Sequence, residues 1–376
     1  MTTQIAPLLP DRHTGAHNCA ITAAPMRRSP SIVLLLALLV PALTHCAPVV
    51  VPSGPAVSAP LLEPSRIVAA DGAVLPLQHW PATAGTRNGQ PQAVILALHG
   101  FGDYSGAFEE PAQTWAALGI ETYAYDQRGF GDGPHRGRWA GVDTMVNDAL
   151  TALRLVSARH PGTPIYLTGE SMGGAVVLAA LGRLADAPGL APVPAGAILI
   201  GPAVRSRDTI GGLARGALWM AAHIAPWHPV GPTSIDFQPS NNRKMLEKYA
   251  KDPKVLRYPR TDLVWGLVDL MDAAKQAAPR ITTPYLLLYG LNDRIVPESA
   301  MREVLARLPR RPDSRLAFYA KGYHMLLRDL DGVTLHRDVA DWIADKRAPL
   351  PSGADHQRSD LQALWGSRFD LTTGGG

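Results

Sequence analysis

The stretch IYLTGESMGG, residues 165–174, decides the fold. Its pentapeptide Gly169-Glu170-Ser171-Met172-Gly173 lies between a β-rich run at 165–168 and a helix-forming run of small and aliphatic residues at 174–184. A G-x-S-x-G motif in a strand–turn–helix setting is the signature of a nucleophile elbow. A serine at so sharp a turn takes a strained backbone conformation, tolerable only when the residues two before and two after it are small. The strain lifts the Ser171 hydroxyl clear of the sheet with a helix N-terminus behind it, so the Met172 amide can point at an oxyanion.

Outward from the elbow the chain alternates buried apolar runs with amphipathic helices, which predicts an α/β fold with a parallel sheet covered on both faces. Strands are expected at 66–70 and 74–80, flanking the hairpin signal Asp71-Gly72, then at 93–98, 121–126, 165–168 and 197–200, with helices at 109–118, 144–159 and 174–184 between them. The alternation breaks at 205–280, a helical or irregular stretch holding Trp219, Trp227 and Trp265, and resumes with strands at 285–289 and 316–319 and helices at 297–308 and 330–345. The core is therefore expected from 65–204 and 281–348, with 205–280 a cap inserted between two strands of one sheet. Polar residues 349–376, ending in three glycines, read as a flexible tail.

The N-terminal residues 1–46 read as an export segment. Met26-Arg27-Arg28 supplies a positive start, residues 32–40 are continuously apolar, and small or polar residues follow. Leu43-Thr44-His45-Cys46 resembles a bacterial lipobox with Cys46 lipidated, although His45 stands where a small residue is usual. Cleavage without lipidation, an uncleaved anchor, and a start at Met26 are the alternatives. The prolines between 47 and 64 read as a spacer linking this segment to the domain. The expected location is the bacterial periplasm or cell envelope, at a membrane surface.

Composition narrows the function further. The net charge of +4 includes Arg27 and Arg28, and the body of the chain has no basic, aromatic-interleaved stripe, so nucleic-acid binding has no support. Cys19 and Cys46 are the two cysteines and both precede the domain, which excludes thiol catalysis and structural disulfides within it. No H-x-x-x-H or H-E-x-x-H spacing occurs, and Gly129 to Gly133 has no strand-to-helix phosphate cradle around it. No metal or cofactor is expected.

A serine hydroxyl needs a base, and the base needs an orienting acid. For this sheet type the chain order is serine, acid, histidine. Asp293 follows an apolar strand just beyond its C-terminal end, and His324, in Gly322-Tyr323-His324, stands in the loop after the last strand. Both loops open on the edge of the sheet where the elbow lies, the edge at which ligands bind. Ser171 is thus the expected nucleophile, His324 the base and Asp293 the orienting acid, with Asp126 a turn former and His99 a structural residue. The second oxyanion amide is expected from Phe101, in His99-Gly100-Phe101-Gly102. In the cap, Leu218, Trp219, Met220 and Ile224 belong to a segment apolar nearly all round, which marks them as candidates for an acyl chain or a lipid surface.

These residues resemble the monoacylglycerol lipase and lysophospholipase group of the α/β-hydrolase superfamily over about 65–347. The resemblance rests on residues 99–105, 126–131 and 169–174, the cap stretch 241–256, Asp293 and residues 322–324. It implies an eight-stranded, mostly parallel sheet, a cap inserted after strand 6, and hydrolysis of esters with one long acyl chain. Asp103-Tyr104 stands where the group usually has Glu-His, and Phe130 where a histidine is usual. General carboxylesterases and peptidases share the fold. An aminopeptidase or amidase using Asp262, Asp269 or Asp272 to bind an amine is one alternative, and an inactive scaffold protein is another.

Overall fold

The structure, a computed structural model, describes residues 47–86, 89–231 and 238–361 together with Ala363 and Trp365. The export segment and Cys46 lie outside the described residues. Among the described residues nine strands form one sheet: β1 (Leu61–Glu63), β2 (Arg66–Val68), β3 (Val74–Trp80), β4 (Ala93–Leu98), β5 (Ile120–Tyr125), β6 (Ile165–Glu170), β7 (Gly196–Ile200), β8 (Tyr285–Gly290) and β9 (Arg315–Tyr319). Their order is β1-β2-β3-β5-β4-β6-β7-β8-β9. The first three strands are antiparallel to their neighbours, and β5, β4, β6, β7, β8 and β9 run parallel.

The helices are α1 (Glu109–Ala117), α2 (Val142–Arg159), α3 (Met172–Asp186), α4 (Gly212–Ile224), α5 (Arg243–Lys251), α6 (Thr261–Ala277), α7 (Glu298–Arg307) and α8 (Gly332–Ala344). Every residue of β4 is buried because successive side chains enter two different cores. Ala93, Ile95 and Ala97 pack with Phe108 and Trp115 beside α1 and with Leu335 and Trp342 of α8. Val94, Leu96 and Leu98 pack with residues of α2, α3 and α6 on the other face. The chain leaves β4 towards β5 on one side and β6 on the other, so the crevice between β4 and β6 is the topological switch point of the sheet. The loop at Gly100 and the elbow at Ser171 both open there.

Three expected boundaries change. The extra strand comes from the proline-rich spacer, which lies along the domain. Val51 N–H donates to Trp139 O at 2.8 Å, Val57 N–H donates to Ala70 O at 2.7 Å, and Leu61–Glu63 pairs with β2. Prolines set a local extended conformation and leave the intervening amides free to dock. The cap is also shorter than expected. Leu263, Leu270, Met271 and Ala274 of α6 are core residues, and a Cβ on Gly182 of α3 would lie 2.5 Å from Ala277 Cβ. So close a helix crossing makes α6 part of the core layer, and the cap proper ends before it. Finally, residues 349–361 are ordered against β9. Phe318 N–H donates to Ala354 O and His356 N–H to Leu316 O, each at 2.9 Å, while Leu350, Leu361 and Trp365 are buried. These three apolar anchors dock the described residues of this stretch against the core.

Candidate active site

Ser171 has φ +52° and ψ −114°, a left-handed conformation at the junction of β6 and α3. For a residue with a Cβ this is strained. The neighbouring packing holds it: Ser171 N–H donates to Ile200 O at 2.9 Å, and Ser171 O accepts from Ala203 N–H at 2.8 Å. Sterics explain the flanking glycines. A Cβ on Gly169 would lie 2.3 Å from the Gly173 carbonyl carbon, and one on Gly173 would lie 2.0 Å from Leu98 O.

Met172 is the first residue of α3, where the backbone amides have no carbonyl four residues earlier to receive them. The loop after β4 passes directly over the serine, since a Cβ on Gly100 would touch Ser171 Cβ at 3.4 Å. Among the described residues neither the Phe101 nor the Met172 amide has a partner in the turn and loop hydrogen bonds. Two free donors therefore flank the Ser171 position.

The loops after β8 and β9 bring Asp293 and His324 together. His324 Nδ1 stands 2.7 Å from Asp293 Oδ2. The other carboxylate oxygen, Oδ1, accepts from Ile295 N–H at 2.8 Å and Val296 N–H at 3.0 Å, which fixes the carboxylate plane. With Nδ1 committed, Nε2 is the ring nitrogen left to exchange a proton. Burial opposes a charge on His324, but the Asp293 carboxylate outweighs it and the imidazole sits above the usual histidine value.

Asp126, expected as a turn former, instead ties separate loops together: its Oδ1 accepts from Ser105 N–H, 21 residues away, at 2.9 Å and its Oδ2 from Asp132 N–H at 2.8 Å. His99 is structural, as expected. His99 Nδ1 donates to Gly100 O at 2.8 Å while Nε2 accepts from Gln127 N–H at 3.0 Å. Burial pushes its pKa down, consistent with a neutral structural imidazole.

Ser171 and His324 line one cavity of about 510 Å³, within the usual range for a small-molecule site. Most of its wall is apolar, from Ala214 and Leu218 of α4 and from Val264, Leu267 and Met271 of α6. Of the four cap candidates Leu218 alone lines it. Trp219, Met220 and Ile224 are 49%, 54% and 51% exposed on the outside of α4. Helical spacing explains the split: Ala214, Leu218 and buried Ala222 are four residues apart and form the inner stripe. Composition alone did not say which side of an all-apolar helix faces inward.

The sequence reading missed the polar end of the cavity. Arg328 Nη2 lies 2.7 Å from Asp103 Oδ2 and 3.0 Å from Glu170 Oε2, and the guanidinium is stacked 5.6 Å from the Tyr249 ring. All four residues line the cavity. A signal was present in Glu170, a charged residue at the end of a fully buried strand, which demands a partner. The partner's identity was not readable from chain position. Asp262, Asp269 and Asp272, considered above for an amine, are instead engaged by Arg260 and Arg207 and do not line the cavity. Among the described residues no group of three or more His, Cys, Asp and Glu is placed to hold a metal ion.

Comparison with known proteins places this geometry. The family model described as serine aminopeptidase, S33, matches residues 89–331. The chain is 30% identical to the monoglyceride lipase of Homo sapiens over 300 residues, 77% of this chain and 93% of that one. It is 28% identical to the monoacylglycerol lipase of Mycolicibacterium smegmatis over 261 residues, 69% of this chain and 90% of that one. Among solved structures, a soluble variant of the Saccharomyces cerevisiae monoglyceride lipase with a substrate analog superposes with a TM-score of 0.62 at 20% identity, covering 79% of this chain and 99% of that one. The Paleococcus ferrophilus monoacylglycerol lipase gives 0.56 at 22% identity, covering 72% and 99%.

Proposed function

The chain belongs to the hydrolase family described as serine aminopeptidase S33 and is a serine ester hydrolase, and from that premise we propose that Ser171, His324 and Asp293 cleave a single-chain lipid ester of the monoacylglycerol or lysophospholipid type. The observation that carries the reading is the apolar cavity whose wall includes both Ser171 and His324, with buried Asp293 hydrogen-bonded to His324.

The chemistry proceeds by acyl transfer. Ser171 Oγ attacks the ester carbonyl carbon as His324 Nε2 takes the hydroxyl proton. The carbonyl π pair moves to oxygen, and that oxyanion is met by the Phe101 and Met172 amides. Collapse breaks the bond to the leaving alcohol, which receives the proton from His324. Water then repeats the sequence on the acyl-enzyme, releasing the fatty acid. Asp293 stays ionised throughout, holding the imidazole tautomer and offsetting its transient charge. The acyl chain lies along the apolar wall of α4 and α6.

Export to the bacterial periplasm or cell envelope and work at a membrane surface belong to the same proposal. The features at 26–46 support it, and so do the outward-facing Leu213, Trp219, Met220, Ile224 and Trp227, all about half exposed or more. Acylated Cys46 at the mature N-terminus, sought by mass spectrometry of the membrane fraction, is the expected form.

A fluorophosphonate probe is expected to label the wild type and not Ser171→Ala. Hydrolysis of p-nitrophenyl esters is expected to favour medium and long acyl chains over acetate. A folded protein that takes up no probe overturns the serine mechanism, and a sharp acetate preference overturns the lipid substrate.

A further inference from the structure

The polar end of the cavity carries an imbalance of buried charge. Two buried carboxylates, Asp103 and Glu170, line this end against one buried guanidinium, Arg328, while a third buried carboxylate, Asp293, lies behind His324 and is paired with it. Arg328 divides a single Nη2 between Asp103 and Glu170, so it neutralises one of them in charge. Glu170 is 3% exposed and directly precedes the nucleophile. Among the described residues its Oε1 has no hydrogen-bond partner, and neither has Arg328 Nε.

Which end this is follows from the walls. Asp103, Tyr249 and Arg328 also line a second hollow of about 360 Å³, whose other walls include Asn242, Lys244, Lys248, Glu109 and Glu110. There the exposed lysines of α5 face exposed glutamates of α1 and offset them. The apolar wall of α4 and α6 suits the acyl chain, which leaves the Arg328 side for the polar alcohol. Arg205, a further cation in the cavity lining, is exposed. Solvent and salt screen it far more than the buried groups.

We propose that Glu170, set against Asp103 and Arg328, is a selectivity residue that makes the leaving-alcohol end of the cavity electronegative, so that neutral and cationic headgroups are accepted and phosphate-bearing headgroups are turned away. The inference rests on the serine ester hydrolase reading and narrows its substrate class. Glu170 acts through its field, since its free oxygen is out of contact with solvent, and the low local dielectric gives that field reach. A phosphate ester places its charge next to the glycerol carbons, on the side of the cavity that Asp103 and Glu170 line.

The test uses the octanoyl esters of choline, glycerol and glycerophosphate below their micellar concentrations. Assays run at pH 8.5, chosen to favour the carboxylate of Glu170, which burial pushes up. In the wild type, kcat/KM for the phosphate ester is expected about tenfold or more below that of the glycerol ester, with the choline ester equal to or better than glycerol. Glu170→Gln keeps the shape and removes the charge, and is expected to close the phosphate-to-glycerol gap by about tenfold, whereas Glu170→Asp retains it. Should thermal melting show that Glu170→Gln is unfolded, Asp103→Asn removes the same unit of charge and is expected to close the gap likewise. An unchanged ratio in the folded charge-removing variant, or a wild type that cleaves the phosphate ester as well as the glycerol ester, overturns the inference while leaving the hydrolase reading intact. Failure to cleave any of the three esters, or equal cleavage by Ser171→Ala, overturns the hydrolase reading and the inference with it.

Discussion

His324 Nδ1 meets Asp293 Oδ2 at 2.7 Å across a separation of 31 residues, and the Asp293 side chain is wholly out of solvent. The contact joins the ends of two parallel strands and leaves Nε2 of the imidazole to the cavity that Ser171 shares. A buried carboxylate with both oxygens engaged cannot rotate away from its partner, so the geometry is set before any substrate arrives.

Asp293→Asn is predicted to lower kcat by about four orders of magnitude with little loss of fold, because an amide in that place favours the wrong imidazole tautomer. Hydrolysis kinetics read against circular dichroism check this. Less than a tenfold loss would argue against Asp293 as the orienting acid.

In the proposed mechanism protonated His324 cannot accept the serine proton, so activity is predicted to fall as pH drops through its pKa. The Asp293 carboxylate raises that pKa above the ordinary value of 6.5. NMR titration of the Ser171→Ala protein is expected to place His324 above that value, and Asp293→Asn to move it down. A titration at or below the ordinary value contradicts the charge coupling.

The N-terminal hairpin is clamped by Arg128, which donates to both oxygens of Asp71 at 2.7 and 2.9 Å and to Asp148 Oδ2 at 2.7 Å. The hydrogen bonds from Arg128 hold Asp71 down to a pKa of about 2. A depressed folded pKa means stability that is present above the unfolded value, near 4, and is lost as pH falls towards the folded one. Asp71→Asn is expected to cost about 1–3 kcal/mol at pH 7 and nearly nothing near pH 2, by denaturant melts at both pH values.

Leu218→Trp projects bulk into the cavity from the inner stripe of α4. It is predicted to reduce hydrolysis of dodecanoyl esters by roughly tenfold or more while sparing acetate esters, through overpacking of the acyl path. Trp219→Ser, on the outer face, is predicted to leave soluble esters within about twofold and to weaken binding to lipid vesicles. Equal effects of the two changes on soluble esters would contradict the orientation of α4.

Removal of residues 349–376 takes Leu350, Leu361 and Trp365 from the core and strips the backbone partners of Leu316 and Phe318. The truncated protein is expected to melt about 5 °C or more below the full chain, by calorimetry. An unchanged melting temperature would mean the segment contributes no packing.

The sequence by itself determined the features that depend on local chain geometry. The elbow was readable at 165–174 because a left-handed serine requires small flanking residues, and a Cβ at Gly173 would lie 2.0 Å from Leu98 O. The parallel sheet was readable from largely apolar strands, and Asp293 and His324 from their positions just past two strand ends, since loops at the same ends of parallel strands open on one edge. Tertiary structure alone decided which face of α4 looks inward, that α6 belongs to the core, and that the spacer and tail are docked, because each depends on what packs opposite. It also decided the meeting of Glu170 with Arg328 across 158 residues. Periodicity and motifs record a residue's own environment. The neutralisation of a buried charge is a property of two distant residues together, and only the folded chain brings them into contact.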